Sequence, residues 1–347
     1  MSISITPYGT LPSGEDIQQA TLQHAGLTCK IITYGGIITE LWVPDRDGTD
    51  ANVVLGLPSL DAYVAGHPSF SAITGRVAGR ITGGSFVLDG KPFQLALSKP
   101  PNHLHGGEVG LDKRVWSPTP GETESGEPFL SLTYVSPDGE EGYPGTVDIT
   151  VTYTITSDAA LKIDYSATTD APTPFSLTNH AYFNLAGEDH PTIKDHLLQI
   201  HTDKVVWKDE EGTLEDHISS VEGTRHDFRE MKSLEDFVTG EDPQHGENYI
   251  LRETNADSPE SVAILRDPHS GRNMEVLTTT TSLQLYTSHT MDEAELVRES
   301  GEPYLNYCAL CLECQGFPDA VNSPHIDDII LRPGTPYRQT TIYRFGA

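Results

Sequence analysis

Hydrophobic and polar residues alternate most regularly between residues 147 and 165. The hydrophobic positions of this stretch are Val147, Ile149, Val151, Tyr153, Ile155, Leu161, Ile163 and Tyr165. Because successive side chains of a β-strand point to opposite faces, this period of two predicts a meander of antiparallel strands with one buried face. Similar short runs rich in Val, Ile, Thr and Tyr, divided by Gly, Pro, Asp and Asn, recur along the rest of the chain. The pattern therefore predicts an all-β fold.

Helical spacing of hydrophobic residues is rare in this chain. Residues 231–238 show it, and we predict a short helix there. The polar segment through Asp61, Gly66 and Pro68 is interpreted as a loop. Because neither an internal repeat nor a low-complexity linker divides the chain, the simplest prediction is a single domain over residues 1–347.

One carboxylate, Glu313, stands within an otherwise apolar segment at residues 308–314. If this segment is a strand, Glu313 and Gln315 share one face, and the other face carries core residues such as Leu312. A buried carboxylate is unfavourable unless it is paired or used in chemistry. The segment therefore predicts Glu313 and Gln315 on the wall of a pocket, with a glutamate on a solvated sheet face as the alternative.

Composition narrows the possible partners. The net charge of −29, from 51 Asp and Glu against 22 Lys and Arg, repels phosphate backbones and anionic lipid, so neither nucleic acid nor a membrane is expected as a partner. We also expect an intracellular, cytoplasmic protein, since no apolar stretch is long enough to span a membrane. The four cysteines are interpreted as small hydrophobic residues, and a salt-adapted host is one hypothesis for the acidic composition.

Two segments combine glycines with residues that can bind a ligand. Residues 75–84 carry Arg76 and Arg80 among small residues, which is typical either of a close approach to a ligand or of a bulged strand with two surface arginines. In the second segment, the spacing of His103 and His105 places both imidazoles on one side of an extended strand. Such a pair can bind a metal, contact a ligand or lie in a loop.

Residues 175–187 interleave amide, imidazole and aromatic side chains with apolar ones, and include Asn179 and His180. Sugar hydroxyls need donors and acceptors, and the C–H faces of a sugar pack on aromatic rings. The segment is therefore typical of a sugar-binding surface, although a core histidine that bonds to a carbonyl would explain His180 alone.

Taken together, these motifs resemble the galactose mutarotase (aldose 1-epimerase) family. The matching segments, in the order of the family, are TYGG at 33–36, GRVAGRI at 75–81, LHGG at 104–107, SPDGEEGYPG at 136–145, LTNHAYFNL at 177–185, LE at 312–313 with PDAVN at 318–322, and LRPG at 331–334. The resemblance covers almost the whole chain. It implies a large antiparallel β-sandwich with few short helices, a monosaccharide as substrate, and neither a metal nor an organic cofactor.

The resemblance also implies roles for individual residues. Glu313 matches the catalytic base of the family and His180 matches its catalytic acid, so that a proton leaves the anomeric hydroxyl while the ring oxygen receives one. The residues that match or replace sugar contacts are Arg80, His105, Gln284, Asn179 and Glu247. Gly79 stands where many relatives have Asn, and Gly246 stands where relatives have Asp, with Glu247 next to it as a possible substitute.

The expected activity is the interconversion of α and β anomers of free aldoses such as glucose and galactose. The alternatives are an epimerase of the same fold that acts on hexose 6-phosphates, a sugar-binding protein without activity, and a glycosidase with Asp319 or Glu247 as its second carboxylate. A zinc site formed by His103, His105 and His180 is a further alternative. The sequence leaves open whether the protein is a monomer or a homodimer.

Overall fold

A computed structural model of the chain describes residues 2–209, 214, 217–241, 244 and 246–347. The first sixteen strands are β1 (Ser2–Thr10), β2 (Asp16–His24), β3 (Leu27–Ile32), β4 (Ile38–Pro44), β5 (Asp50–Asn52), β6 (Ile73–Thr74), β7 (Arg80–Ile81), β8 (Ser85–Leu88), β9 (Lys91–Gln94), β10 (His103–Leu104), β11 (Ser117–Glu122), β12 (Pro128–Ser136), β13 (Val147–Ile155), β14 (Ala160–Thr169), β15 (Thr173–Pro174) and β16 (Thr178–Asn179). The remaining strands are β17 (Leu197–Ile200), β18 (Lys204–Val206), β19 (Ser219–Ser220), β20 (Lys232–Ser233), β21 (Asn248–Ile250), β22 (Glu260–Arg266), β23 (Asn273–Thr278), β24 (Ser282–Tyr286), β25 (Cys311–Gln315), β26 (Ile330–Leu331) and β27 (Tyr337–Gly346).

The larger sheets are antiparallel and pack as a β-sandwich, which confirms the predicted fold class. The largest has nine strands in the order β11-β12-β13-β14-β27-β23-β22-β17-β20, and it contains the predicted meander as β13 and β14. One five-stranded sheet runs β1-β2-β3-β4-β5, and the other runs β19-β18-β21-β24-β25. Short two-stranded pairs, among them β10 with β7 and β16 with β6, connect these sheets.

The main hydrophobic core lies between the three sheets. It contains Leu22 from the first sheet, Val151 from the nine-stranded sheet and Leu312 from the last sheet, all buried. Its members extend from Ala20 to Phe345. We therefore propose that residues 1–347 form one domain, because a single core takes side chains from both ends of the chain.

The described residues contain two short α-helices. The helix α2 (Glu235–Thr239) confirms the prediction of a helix at 231–238, although it begins later. The helix α1 (Leu60–Ala65) lies where a loop was predicted, and that prediction is wrong. A helix forms there because the Ser59 hydroxyl accepts a hydrogen bond from the amide of Ala62 and so caps the first turn. With six residues, α1 is too short to produce a clear hydrophobic period.

The sheet β19-β18-β21-β24-β25 has one apolar face and one polar face where β24 and β25 meet. Leu283 pairs with Cys314 and Leu285 pairs with Leu312, and these side chains enter the core. The alternate pairs are Ser282 with Gln315 and Gln284 with Glu313. Since directly paired residues of antiparallel strands point to the same face, these four polar side chains form a second, polar face on the sheet.

Candidate active site

The polar face of the last five-stranded sheet carries Glu313. This glutamate lies in the middle of β25, and only 2% of its side chain is exposed. Across the sheet, Glu313 pairs with Gln284 on β24, and Gln284 pairs with Asn248 on β21. The three side chains therefore project side by side from adjacent strands, at a strand spacing of about 4.8 Å. The predicted position of Glu313 on a pocket wall agrees with this register.

His180 faces Glu313 from a different part of the fold. It follows the short strand β16, and its backbone is bonded on both sides, from its amide to the carbonyl of Ala72 and from the amide of Ser71 to its own carbonyl. Its Nε2 lies 3.6 Å from Oε1 of Glu313. The imidazole stacks on the ring of Tyr182 with 4.9 Å between ring centroids. Backbone bonds and stacking together fix the orientation of His180 toward the carboxylate.

His105 completes a compact group with these two residues. One nitrogen or oxygen from each of His105, His180 and Glu313 lies within 4.8 Å of the others. The amide of Gly79 donates a hydrogen bond to Nδ1 of His105 at 3.2 Å, so in the neutral ring the hydrogen is on Nε2. Burial and the nearby His180 and Arg80 hold the pKa of His105 well below its usual range. A neutral His105 can therefore donate one hydrogen bond from Nε2 to a ligand.

Arg80 lies beside His105 in the fold, because β7 pairs with β10 and places Arg80 opposite Leu104. Burial lowers the pKa of Arg80, whereas the negative charges of Glu313 and Glu247 act in the opposite direction. An arginine remains charged under such conditions. Arg80 therefore contributes a fixed positive charge close to the proposed carboxylate base.

Burial shifts the titration of Glu313 and His180 in opposite directions. It raises the pKa of Glu313 to about 8, against the smaller effects of Arg80 and Lys208, and it lowers the pKa of His180 to about 4. At neutral pH the pair therefore holds one proton, and burial favours that proton on Glu313. Desolvation is the main cause of the low pKa of His180, so burial disfavours the charged imidazole in the free site. Transfer of this proton to His180 produces an ionised pair without changing the proton count.

Arg76, four residues before Arg80, has a structural role. Its guanidinium donates to the hydroxyl and carbonyl of Ser136 and to the carbonyls of Pro137, Pro144 and Gly145, at 2.7 to 3.0 Å. The arginine thereby fixes the turn-rich segment at 136–145. With its donors bonded to the chain in this way, Arg76 is not available to hold a phosphate group.

The shared side predicted for His103 and His105 requires an extended strand, and the backbone leaves the extended conformation at His105. The Nδ1 of His103 bonds to the carbonyl of Ala96 at 2.8 Å, and its Nε2 bonds to the hydroxyl of Tyr143 at 2.9 Å. The strand β10 ends at Leu104, and His105 has a left-handed backbone with φ of 49°, which breaks the alternation. A zinc site that includes His103 is therefore contradicted.

The group His105, His180 and Glu313 has the composition of a metal site that three protein ligands would form. Neutral imidazoles suit such a role, but Glu313 would have to lose the proton that burial favours. The same three groups are also sufficient for acid and base chemistry without a metal.

The remaining predicted residues have different surroundings. Nδ2 of Asn179 donates to the carbonyl of Ser71 at 2.9 Å, so this amide supports the backbone beside His180. Asp319 accepts hydrogen bonds from the amide of Thr82 at 3.3 Å and from Asn322 at 3.0 Å. Nδ2 of Asn179 and the carboxylate of Asp319 therefore stabilise loops near the site.

The edge of the site contains the two departures from the family pattern. Gly79 has a left-handed backbone with φ of 77°, and a Cβ at this position would lie 3.2 Å from Nε2 of Gln315. At the second departure, the side chain of Glu247 is 12% exposed and pairs with the ammonium of Lys208 at 3.5 Å. Glu247 and Lys208 thus form a largely buried ion pair beside the ends of β18 and β21.

Sequence reasoning missed Lys208, Asn248 and Tyr286. Asn248 and Tyr286 could have been found from the alternation that identified Glu313, because Asn248 pairs with Gln284 and Tyr286 pairs with Cys311. No local pattern marks Lys208, since its burial depends on strands that are distant in sequence.

The comparison with known families agrees with this geometry. A family model described as Aldose 1-epimerase matches residues 18–344. The chain belongs to the aldose 1-epimerase family. It is an isomerase that interconverts the α and β anomers of aldoses. Neither helix of the described residues has the length and apolar character of a membrane span.

Individual relatives of this aldose 1-epimerase chain cover 94% or more of its length. Galactose mutarotase from Sus scrofa is 40% identical over 352 residues, which cover 100% of this chain and 99% of the relative. Aldose 1-epimerase from Escherichia coli is 32% identical and covers 97% of each chain. Among solved structures, an aldose epimerase homologue from C. elegans has a TM-score of 0.85 at 30% identity, covering 94% of this chain and 99% of its own. Galactose 1-epimerase from Lactobacillus acidophilus has a TM-score of 0.85 at 26% identity, covering 99% and 98%.

Proposed function

We propose that Glu313 is the catalytic base and His180 the catalytic acid in the anomerisation of uncharged aldoses of the glucose and galactose type. The observation that carries this proposal is the buried contact between the two residues, with Nε2 of His180 3.6 Å from Oε1 of Glu313. General acid and base groups must lie within reach of the same small substrate, and this pair satisfies that condition.

The proton transfers follow from the charge state of the pair. The Glu313 carboxylate removes the proton of the anomeric hydroxyl while protonated His180 gives a proton to the ring oxygen, so the ring opens to an aldehyde. Rotation about the bond between C1 and C2 exposes the other face of the aldehyde. The hydroxyl at C5 then attacks that face, as His180 takes back the proton of this hydroxyl and Glu313 returns its proton to the aldehyde oxygen. One proton shared by Glu313 and His180 is sufficient for each half of this cycle.

Four further side chains are proposed to hold the sugar. Arg80 and the Nε2 hydrogen of His105 donate to hydroxyl or ring oxygens, and Gln284 contacts the sugar from its position beside Glu313. Glu247 replaces the missing family carboxylate as an acceptor for hydroxyl hydrogens. Asn179 stays a predicted contact through Oδ1, a buried atom with no protein partner among the described residues.

The charges of the site favour an uncharged sugar over a hexose 6-phosphate. Arg80 interacts with Glu313 and Glu247, and Lys208 interacts with Glu247. Arg76, the other arginine of residues 75–84, donates its hydrogen bonds to the chain itself. A phosphate would therefore enter a site whose positive charges already have negative partners, which disfavours the dianion.

Polarimetry with α-glucose, α-galactose and glucose 6-phosphate tests this assignment. We expect conversion of both free sugars and at least about 10-fold lower kcat/KM with the phosphate, as for a charge in an unsuitable pocket. Glu313→Gln and His180→Asn should each lower kcat by about 10²- to 10⁴-fold, and Glu122→Gln at the exposed end of β11 is the matched control. Near wild-type rates in either active-site variant would contradict the assignment. Binding of sugar without conversion by the wild type would instead favour the sugar-binding alternative.

We also propose a cytoplasmic location. The four cysteines are free and buried, as is usual for thiols in a reducing compartment. The oligomeric state, monomer or homodimer, stays a prediction that gel filtration with light scattering can test.

A further inference from the structure

Lys208 is a buried lysine at the edge of the sugar-facing sheet. It follows β18 by two residues, and the pairing of Val206 with Asn248 places it next to Gly246. Its Nζ donates a hydrogen bond to the carbonyl of Gly246 at 2.6 Å and lies 3.5 Å from Oε2 of Glu247. Only 17% of the Lys208 side chain is exposed. The lysine therefore contacts both residues of the second departure from the family pattern, Gly246 and its neighbour Glu247.

A role in stability alone explains this pair poorly. Removing an ammonium and a carboxylate from water is unfavourable, and a buried ion pair is often no more stabilising than apolar residues of similar size. Lysines are also rarely buried without a partner or a function. The burial of two opposite charges beside the proposed sugar site therefore indicates a function at that site.

The electrostatic surroundings connect Lys208 to the rest of the site. Burial lowers the pKa of Lys208, the charge of Glu247 opposes that shift, and smaller effects come from Arg80 and Glu313. The charges of Glu247, Arg80 and Glu313 therefore lie close enough to Lys208 to affect its pKa. Lys208 has three donor hydrogens, and the contacts with Gly246 and Glu247 use two of them. The third can bond to a ligand.

We propose that Lys208 and Glu247 together determine sugar specificity, as a donor and acceptor pair that binds hydroxyl groups on the part of an uncharged aldose remote from C1. The inference rests on the proposed function, because the sugar must place C1 at Glu313. Lys208 donates to a hydroxyl oxygen, and Glu247, which Lys208 holds in place, accepts a hydroxyl hydrogen. A donor and an acceptor in fixed positions distinguish sugars by the position of a hydroxyl group. A single carboxylate distinguishes them less strictly.

Deoxy sugars provide the test, with Lys208→Met as the main variant. Lys204→Met is the matched control, because Lys204 lies on the neighbouring strand β18, four residues before Lys208, and is exposed. We expect Lys208→Met to lower kcat/KM for the parent sugar by about 10- to 100-fold, the effect of losing a hydrogen bond to a charged group. Most of the loss should be in KM. For one of the 2-, 3-, 4- or 6-deoxy sugars, wild type and variant should have similar kcat/KM values, because the hydroxyl in question is absent.

Two further variants test whether a loss of folding, and not a loss of sugar contacts, explains the effect of Lys208→Met. Lys208→Met leaves Glu247 buried without its ammonium, so Lys208→Met combined with Glu247→Met removes both charges and restores balance. Glu247→Gln keeps the shape of the carboxylate and should raise KM with the same pattern of deoxy sugars. An equal loss with the parent and with every deoxy sugar, in all of these variants, would show a merely structural role and overturn the inference.

The same sugars separate this inference from the proposed function. If Lys208→Met matches Lys204→Met with every sugar while the wild type turns over aldoses, the specificity role is wrong and the proposed function stands. If the wild type converts no aldose, calorimetric Kd values for galactose and its deoxy analogues test the specificity role of Lys208. A Kd that depends on Lys208 for the parent sugar alone keeps the binding site and overturns only the proposed reaction. Unchanged Kd values overturn the specificity role as well.

Discussion

The two halves of the site are built in different ways. Glu313 and Gln284 project from paired positions of β25 and β24, and a sheet fixes their spacing. His180 and His105 follow two-residue strands, and individual backbone bonds and a left-handed residue orient them. The proposed base therefore belongs to a rigid sheet, whereas the proposed acid belongs to connecting segments that are bonded to that scaffold.

This difference explains how the proposed acid and base can approach one substrate from two sides. A sheet presents a row of side chains on one face, but it cannot place a group above that row. The connecting segments bring His180 and His105 over the sheet, where Tyr182 supports the His180 ring. Changes in the sheet half should consequently alter chemistry and sugar position, and changes in the connecting half should also alter local folding.

Substitution of the two residues that share one proton, one from each half of the site, should have the largest effect on activity. Glu313→Gln and His180→Asn should each lower kcat by about 10²- to 10⁴-fold, the usual contribution of a general acid or base. Because both residues serve the same proton transfer, the double variant should be little worse than either single variant. Single-turnover polarimetry measures this. Fully multiplicative losses would show that the two halves act independently.

The next largest effects distinguish the roles of Arg76 and Arg80, which belong to one motif. Substitution of Arg76 should mainly change stability, and substitution of Arg80 should mainly change activity. Arg76→Met should destabilise the protein by about 3–5 kcal/mol, since it removes the partner of buried carbonyl groups around residues 136–145. Arg80→Met should leave stability closer to wild type and lower kcat/KM by about 10- to 100-fold, because a charged hydrogen bond to substrate is lost. Urea unfolding and polarimetry measure the two quantities, with the exposed Arg338→Met as control. A loss of activity with Arg76→Met and a loss of stability with Arg80→Met would contradict the roles assigned to the two arginines.

The sheet half was largely predictable from sequence. Alternation around Glu313 identified the face that it shares with Gln315, and the register with Ser282 and Gln284 agrees. The period of two was also sufficient to predict β13 and β14. Such predictions succeed because each strand is buried on at least one side, which forces its hydrophobic pattern to match its geometry.

The connecting half was predictable only through the family resemblance. Spacing alone placed His103 with His105, because it assumed an extended chain where His105 has a left-handed backbone. It also left Arg76 and Arg80 equivalent. Lys208 was not identified at all, since its burial requires the pairing of β18 with β21, whose residues lie about 40 positions further along the chain. Local patterns contain no information about such distant pairing.

The pH dependence of kcat/KM tests the coupling between the two halves. Burial raises the pKa of Glu313 to about 8 and lowers that of His180 to about 4. Below the lower value both groups carry protons and no base remains, and above the higher value neither carries a proton and no acid remains. A bell-shaped profile is therefore expected, with apparent pKa values of the pair near about 4 and about 8.

The pH profile of Lys208→Met tests which residue holds the shared proton. Removal of this positive charge favours the neutral form of Glu313, so the alkaline limb should move to higher pH. The exposed control Lys204→Met should leave both limbs unchanged. A profile without an alkaline limb would contradict the assignment of the shared proton to Glu313.

The smallest expected effect concerns the edge where the two halves meet. Gly79→Asn introduces the side chain that the family resemblance leads us to expect there, at a left-handed position that Asn tolerates better than most residues. Its Cβ would lie 3.2 Å from Nε2 of Gln315, the flexible end of a side chain that can move aside. We expect KM for galactose to change by less than about 10-fold, as for one neutral hydrogen bond. Gly90→Asn is the matched control, because Gly90 has φ of 76° with open space around it and reports the backbone cost alone. If Gly79→Asn instead abolishes sugar binding while Gly90→Asn does not, then the position of Gln315 is essential. Sugar binding would in that case be as sensitive to changes in the connecting segment as to changes in the sheet.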